Sequence, residues 1–362
     1  MKDLIAFTRG VPPVETFPNQ QLIECAERVI SKRGDDILQY GSAAGYGPLR
    51  EYLAQKYAVE VDRLVIGQGS LELLDLLCRV SLEAGDSVFV EQPTYDRPLV
   101  IFRRAQPDFR GFNLCDGQID IEAVKTILEN GTIPKYFYVI PDFQNPNGSV
   151  MGLDQRLVLI ELAKKYRFLI IEDNPYRHLR YEGTALPSLF ELSSDDVIHM
   201  SSFSKLLSPG LRIGFMILPK DLSKKMIDFA NDTYICPSFL GQAVAVDFFE
   251  QGTLDQHIGK LINLYRSRLQ ALLSALDKHL KGYGEWVRPQ GGFFVGLHLS
   301  DHIAPIDPEL AAKYGLAFSD GRGFFLNGGS RFVRLPFCAL TEDQNKQGIE
   351  RLGEVISASN KD

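Results

Sequence analysis

The chain has 362 residues, 45% hydrophobic and 23% charged, a balance that excludes a disordered chain, a coiled coil and a collagen-like fibre. Lys and Arg number 39 against 46 Asp and Glu, a net charge of −7; with no basic block, neither nucleic acid nor an anionic membrane surface is an expected partner. At about 150 residues per domain the length points to two or three domains, large enough to bury a core without staples.

The opening MKDLIAFTRGVPP does not read as a signal peptide: its apolar stretch is short, Asp3 interrupts the basic end and two prolines follow. No run reaches the 18 apolar residues of a membrane span. Residues 1–20, Pro-rich and without a long periodic element, are expected to form an arm between two domains, a large one at 21–245 and a small one at 246–362. Apolar runs at 63–69, 86–93, 135–142, 168–173, 196–202 and 212–219 predict strands. Several are continuous rather than alternating, as in strands buried on both faces of a mostly parallel sheet. Between them, SLELLDLLCRVSLEAG (70–85) predicts a helix capped by Ser70 and ending near Gly85, and LDQRLVLIELAKKY (153–166) predicts another. This alternation specifies an α/β fold, a mostly parallel sheet flanked by helices. Further on come a long helix at 254–280, strand-like pieces at 291–299 and 330–337, and a helix at 341–358 opened by a capping-box pattern at Thr341. These predict a smaller α+β domain.

Five cysteines, at 25, 78, 115, 236 and 338, are odd in number and widely spaced, which reads as reduced thiols in a reducing compartment, the cytoplasm. His298 and His302 lack an H-E-x-x-H context and are read as loop histidines, not zinc ligands. In open α/β sheets ligands bind beyond the carboxyl ends of the strands. The residues just past the apolar runs are Tyr95, Asp142, Asn145, Asp173, Tyr176, Lys205 and, leading into the next run, Arg212. An aromatic, an amide, carboxylates, a lysine and an arginine therefore converge on one rim.

Six segments in order resemble the class I/II aminotransferases, the pyridoxal-phosphate enzymes of fold type I. SSFSKLLSPGLRIGF resembles the cofactor-lysine motif, PDFQNPNG the Asn-Pro-x-Gly turn and IIEDNPY the Asp-x-x-Tyr element. IGQGSLELLDLL resembles the phosphate-cradling turn, RFVRLPF the carboxylate-binding arginine, and LQYGSAAGYGPLREYL with the FTRGVPP arm the branch of 2-aminoadipate aminotransferases and MocR-type effector domains.

The resemblance implies pyridoxal 5′-phosphate as cofactor. An aldehyde cofactor is held reversibly by a lysine amine that sheds its proton easily, which implies Lys205. A carboxylate keeps the ring nitrogen protonated, implying Asp173, with adjacent Glu172 as its rival. Asn145 and Tyr176 match the donors to the ring's phenolic oxygen, and Tyr95 the aromatic that stacks on the ring. Gly69 and Ser70 at a helix start, the hydroxyls of Ser202 and Ser204, and Arg212 match the phosphate cradle. Tyr40 matches a tyrosine that reaches the phosphate from a neighbouring subunit, which implies a homodimer with shared active sites. Arg334, with Gly10 and Asn145, matches the substrate-binding positions.

The activity so implied moves an amino group between an L-amino acid and a 2-oxo acid, with 2-oxoglutarate the usual acceptor, by a ping-pong mechanism in which Lys205, Asp173 and Tyr176 are catalytic. Another fold type I enzyme (a β-lyase, decarboxylase or cyclase) would use the same residues, and a MocR-like sensing domain would keep them without turnover. A nicotinamide dehydrogenase is discounted because Glu72 stands where its third glycine would be. Arg9, Phe7 and Phe17 in the arm do not choose among acidic, aromatic and branched substrates.

Overall fold

The computed structural model describes residues 3–359. The first half runs β1 (Ile5–Phe7), α1 (Asn19–Ile37), α2 (Gly47–Tyr57), β2 (Leu64–Gly67), α3 (Ser70–Ser81), β3 (Ser87–Gln92), α4 (Asp96–Arg103), β4 (Asp108–Cys115), β5 (Gln118–Ile119) and α5 (Ile121–Glu129). Then follow β6 (Tyr136–Val139), α6 (Leu153–Tyr166), β7 (Leu169–Asp173), the single turn α7 (Leu189–Leu192), β8 (Val197–Ser202), β9 (Gly214–Ile217), α8 (Lys220–Tyr234) and α9 (Phe239–Glu250). The remainder is α10 (Thr253–His279), β10 (Gly284–Trp286), β11 (Phe294–Leu299), α11 (Pro308–Lys313), β12 (Leu316–Phe318), β13 (Phe332–Pro336) and α12 (Glu342–Ser359).

Eight strands form one sheet in the order β2-β9-β8-β7-β6-β3-β4-β5. The centre, β8-β7-β6-β3-β4, is parallel, and β9 runs antiparallel to both its neighbours. Every strand predicted between 63 and 219 lies in this sheet. Their continuous apolar runs follow from burial on both faces: Tyr136, Tyr138, Ile171, Ile198 and Met200 pack toward α3, α4 and α8, while Phe137, Val139, Ile170 and Val197 face the other core layer. Strand side chains alternate between faces, so Glu172 and Asp173 point opposite ways.

The helix at 70 differs from expectation at both ends. Its cap is Gly69, with φ of +105°, and Ser70 is its first helical residue; it stops at Ser81, and Leu82 is already extended. The terminal helix does open on a reciprocal cap: Gln344 N–H donates to Thr341 Oγ1, and the Gln344 side chain accepts from Thr341 N–H.

A second sheet, β10-β11-β13, is antiparallel, and β1 of the arm pairs in parallel with β12. The arm is thus stitched to the C-terminal part of the chain. The expected junction at 245/246 falls inside the continuous helix α9. His298, expected in a loop, lies in β11 with its ring 4.8 Å from that of Phe332. All five cysteines are free, and among the described residues no His, Cys, Asp and Glu cluster could hold a metal. No helix among them is long and apolar enough to cross a membrane.

Candidate active site

Asp173 ends β7 on the sheet face that also carries Tyr138, and the parallel β6–β7 register brings the two side chains together. Tyr138 Oη donates to Asp173 Oδ2 at 2.6 Å, while Oδ1 is buried without a partner. Burial pushes this carboxyl up to about 7, against the pull of the Tyr138 bond and of nearby Lys205. Glu172 points to the other face, where it accepts from Leu189 N–H at 2.8 Å and pairs with His199 Nδ1 at 2.9 Å. The rival carboxylate is therefore committed elsewhere.

Lys205 stands in the turn after β8. Its Nζ donates to Gly10 O of the arm at 2.8 Å and lies 5.7 Å from the centre of the Phe293 ring. Burial holds its ammonium below the usual lysine range, reinforced by Arg334 and opposed by Asp173. The free amine is the nucleophilic form, so this environment favours attack on a carbonyl.

At the end of the cleft formed by β2, β8 and β9, α3 presents its first N–H groups. Gly69 makes this possible: a Cβ there would lie 2.6 Å from Arg212 Nη2, and one on Gly214 would collide with Ser70 N. Arg212, itself at φ of +55°, donates to Gln68 O at 2.7 Å. Ser202 Oγ sits 2.9 Å from Ser204 Oγ and accepts from Ser204 N–H at 3.1 Å. Helix N–H groups, two hydroxyls and a guanidinium at one place suit a phosphate dianion.

The other end is built on β13. Arg334 lies between the rings of Phe294 and Phe324, 4.9 and 4.6 Å from their centres. It donates to Asn145 Oδ1 at 3.0 Å and to Thr8 O at 2.8 Å, and its Nε is buried without a partner. Among the described residues no carboxylate pairs with it. Gly10 closes this end, where a Cβ would collide with Phe294 Cζ.

Two adjoining cavities share Tyr95, Asn145, Tyr176 and Lys205. One, of about 150 Å³, also takes in Gly69, Ser70, Asp173, Ser202, Ser204 and Arg212. The other, of about 380 Å³, takes in Gly10 and Arg334. Tyr40 is the exception among the residues singled out: it is 74% exposed and lines neither. Sequence reasoning missed Tyr138 and the Phe293–Phe294 pair, which packs on Tyr176 at 5.4 and 5.7 Å. A tyrosine inside an apolar strand carries no mark of its partner, and Gly-Gly-Phe-Phe reads as core. The cavity fits pyridoxal phosphate on its own terms: an orphan carboxylate oxygen for a ring N–H, a half-buried lysine for an aldehyde and a glycine-lined cradle for a phosphate.

The class I and II aminotransferase family matches residues 2–352. The chain is 34% identical to aromatic-amino-acid aminotransferase 1 of Thermococcus litoralis, across 98% of this chain and 88% of that protein. The α-aminoadipate aminotransferase of Thermus thermophilus, solved with N-(5′-phosphopyridoxyl)-L-leucine, superposes with a TM-score of 0.93 at 31% identity, covering 99% of this chain and 93% of the other. The Pyrococcus horikoshii kynurenine aminotransferase, solved with pyridoxamine phosphate, gives 0.93 at 34% identity, covering 99% and 92%. Fold and likeness together define a pyridoxal-phosphate-dependent aminotransferase of fold type I. More narrowly, the chain belongs to the class I and II aminotransferases.

Proposed function

We propose that this enzyme exchanges an amino group between an L-amino acid and a 2-oxo acid, 2-oxoglutarate among the acceptors, with Lys205 as the anchoring and proton-transferring residue. The observation that carries the assignment is the half-buried Lys205 amine, lowered in basicity, beside the orphan oxygen of Asp173. When bound, pyridoxal phosphate supplies the electron sink that makes a substrate α-carbon proton acidic. Lys205, whose Nζ now bonds Gly10 O, would anchor the cofactor through its amine and would act as the base and acid that moves the substrate's α-carbon proton. Asp173 holds the ring nitrogen's proton. Tyr176 and Asn145 would donate to the phenolic oxygen, and Tyr95 would face the ring. Gly69, Ser70, Ser202, Ser204 and Arg212 hold the phosphate, with Tyr40 of a second copy reaching it in a homodimer. Arg334 forks the substrate α-carboxylate, for which its lack of an acidic partner supports the role. Five free cysteines fit a cytoplasmic setting.

The test is a visible absorption band in the purified holoenzyme, bleached by borohydride and traced by peptide mapping. The label is expected on the Lys205 peptide, and Lys205→Ala is expected to lower turnover by about 10²–10⁴ or more. Normal turnover in that variant, or a label on another lysine, overturns the assignment.

A further inference from the structure

Glu91 is buried in the penultimate position of β3, beneath the turn that follows β6, and no cation pairs with it among the described residues. Its Oε2 accepts from Ile140 N–H and from Gln144 Nε2, each at 3.1 Å. Gln144 gives the other proton of that amide to Pro93 O at 2.7 Å. Its Oε1 accepts from Asn147 N–H at 2.8 Å, its backbone N–H donates to Ser149 O at 2.9 Å, and its O accepts from Gly148 N–H at 2.6 Å. Both ends of the Gln144 side chain are thus engaged, and Asn145 sits between two fixed points. The Pro93 contact reaches the turn that leads to Tyr95. Glu91 and Gln144 therefore tie together two strand-end turns, one carrying Tyr95 and the other Asn145, whose side chain meets Arg334.

An unpaired buried carboxylate is costly, and an apolar residue of similar size would fill the same volume without that cost. What the apolar residue could not do is accept two N–H groups of the next strand's turn. We propose that Glu91 is a positioning residue for the active site, acting through Gln144 to set Asn145 against Arg334 and opposite Tyr95. The functional part of this rests on the assignment of Asn145 above; the structural part does not.

The experiment compares Glu91→Gln, Glu91→Leu and Gln144→Leu by two readouts. The first is hydrogen exchange of the 140–149 peptide in the cofactor-free protein, which is independent of the cofactor assignment. The second is the split between kcat and KM in the loaded enzyme, read beside the absorption maximum of the bound cofactor. Glu91→Gln keeps one carbonyl oxygen for both donors and is expected to retain wild-type protection and kcat within about threefold. Glu91→Leu is expected to speed exchange across 140–149, shift the absorption maximum and lower kcat about tenfold or more. Gln144→Leu breaks the same clamp from the other side and is expected to match it, which keeps the test decisive if Glu91→Leu does not fold. Wild-type exchange and kcat in the leucine variants, or a Glu91→Gln as damaged as Glu91→Leu, would overturn the proposal. If Asn145→Ala leaves kcat and KM unchanged while the leucine variants still lose protection, the assignment of Asn145 fails and the clamp stands.

Discussion

Asp173 shows how one residue's surroundings set a measurable property of the whole chain. Its carboxyl is pushed up to about 7, chiefly by burial, whereas an unfolded aspartate titrates near about 3.9. Between those values the folded, cofactor-free chain keeps a proton that the unfolded chain has lost. Stability from this residue is therefore lost as pH rises through the window and is level above it. Asp173→Asn keeps an acceptor for Tyr138 and abolishes the titration. Urea unfolding of the two cofactor-free proteins from pH 4.5 to 8 should show the variant gaining on the parent, by on the order of a few kcal/mol, up to about pH 7. Curves that stay parallel across that range would rule out the buried, raised carboxyl. The choice of Asp173 over Glu172 was legible only as a resemblance. The physical ground for it, alternation along a strand with Tyr138 on one face and His199 on the other, needs the register of β6, β7 and β8. No single chain segment contains that information.

At the scale of elements, what could be read was what local pattern decides. The buried parallel strands announced themselves because both faces are covered, leaving uninterrupted apolar runs. Strand β4 did not: DFRGFNLC lies near the sheet edge with several exposed residues, so its composition is mixed. Helix α1 is polar on average and buries only Cys25, Val29 and Ile37, too thin a stripe to be called from sequence. The cap of α3 is Gly69, one residue before the Ser70 that the sequence pattern suggests, and that residue matters. Gly69 combines φ of +105° with Arg212 lying where a Cβ would go, so Gly69→Ala meets both a backbone penalty and a displaced guanidinium. Gly85 is the control, at φ of +88° with open space around it. Both alanine variants should lose about 1–2 kcal/mol of stability in thermal unfolding. Only Gly69→Ala should weaken pyridoxal phosphate binding, about tenfold or more by fluorescence titration, because it alone disturbs the cradle. Equal affinity in the two variants would remove Arg212 and the α3 start from the phosphate site.

At the scale of the molecule, the exposed surface bears on the proposed homodimer. Ile23 and Ile30, seven apart on the outer face of α1, are 60% and 45% exposed, and Leu38 just past the helix is 68% exposed. Tyr40 follows at once, and the next residue's N–H reaches Cys236 Sγ at 3.4 Å, beside the exposed Ile235. Exposed large apolar side chains at and just past this helix support the proposed pairing of two copies. Tyr40 lines neither cavity of its own chain, so its proposed phosphate contact requires a second copy. Sedimentation should therefore give a dimer, and Ile23→Glu with Ile30→Glu should give monomers, since burying unpaired charges at an interface core is strongly unfavourable. Tyr40→Phe in the dimer should weaken pyridoxal phosphate binding by about tenfold, the worth of one hydrogen bond to a charged group. In the monomeric variant the same substitution should add nothing, because the contact it removes is already absent. Additive losses would mean that Tyr40 acts within its own chain or only on folding, and the shared site would then have to be given up.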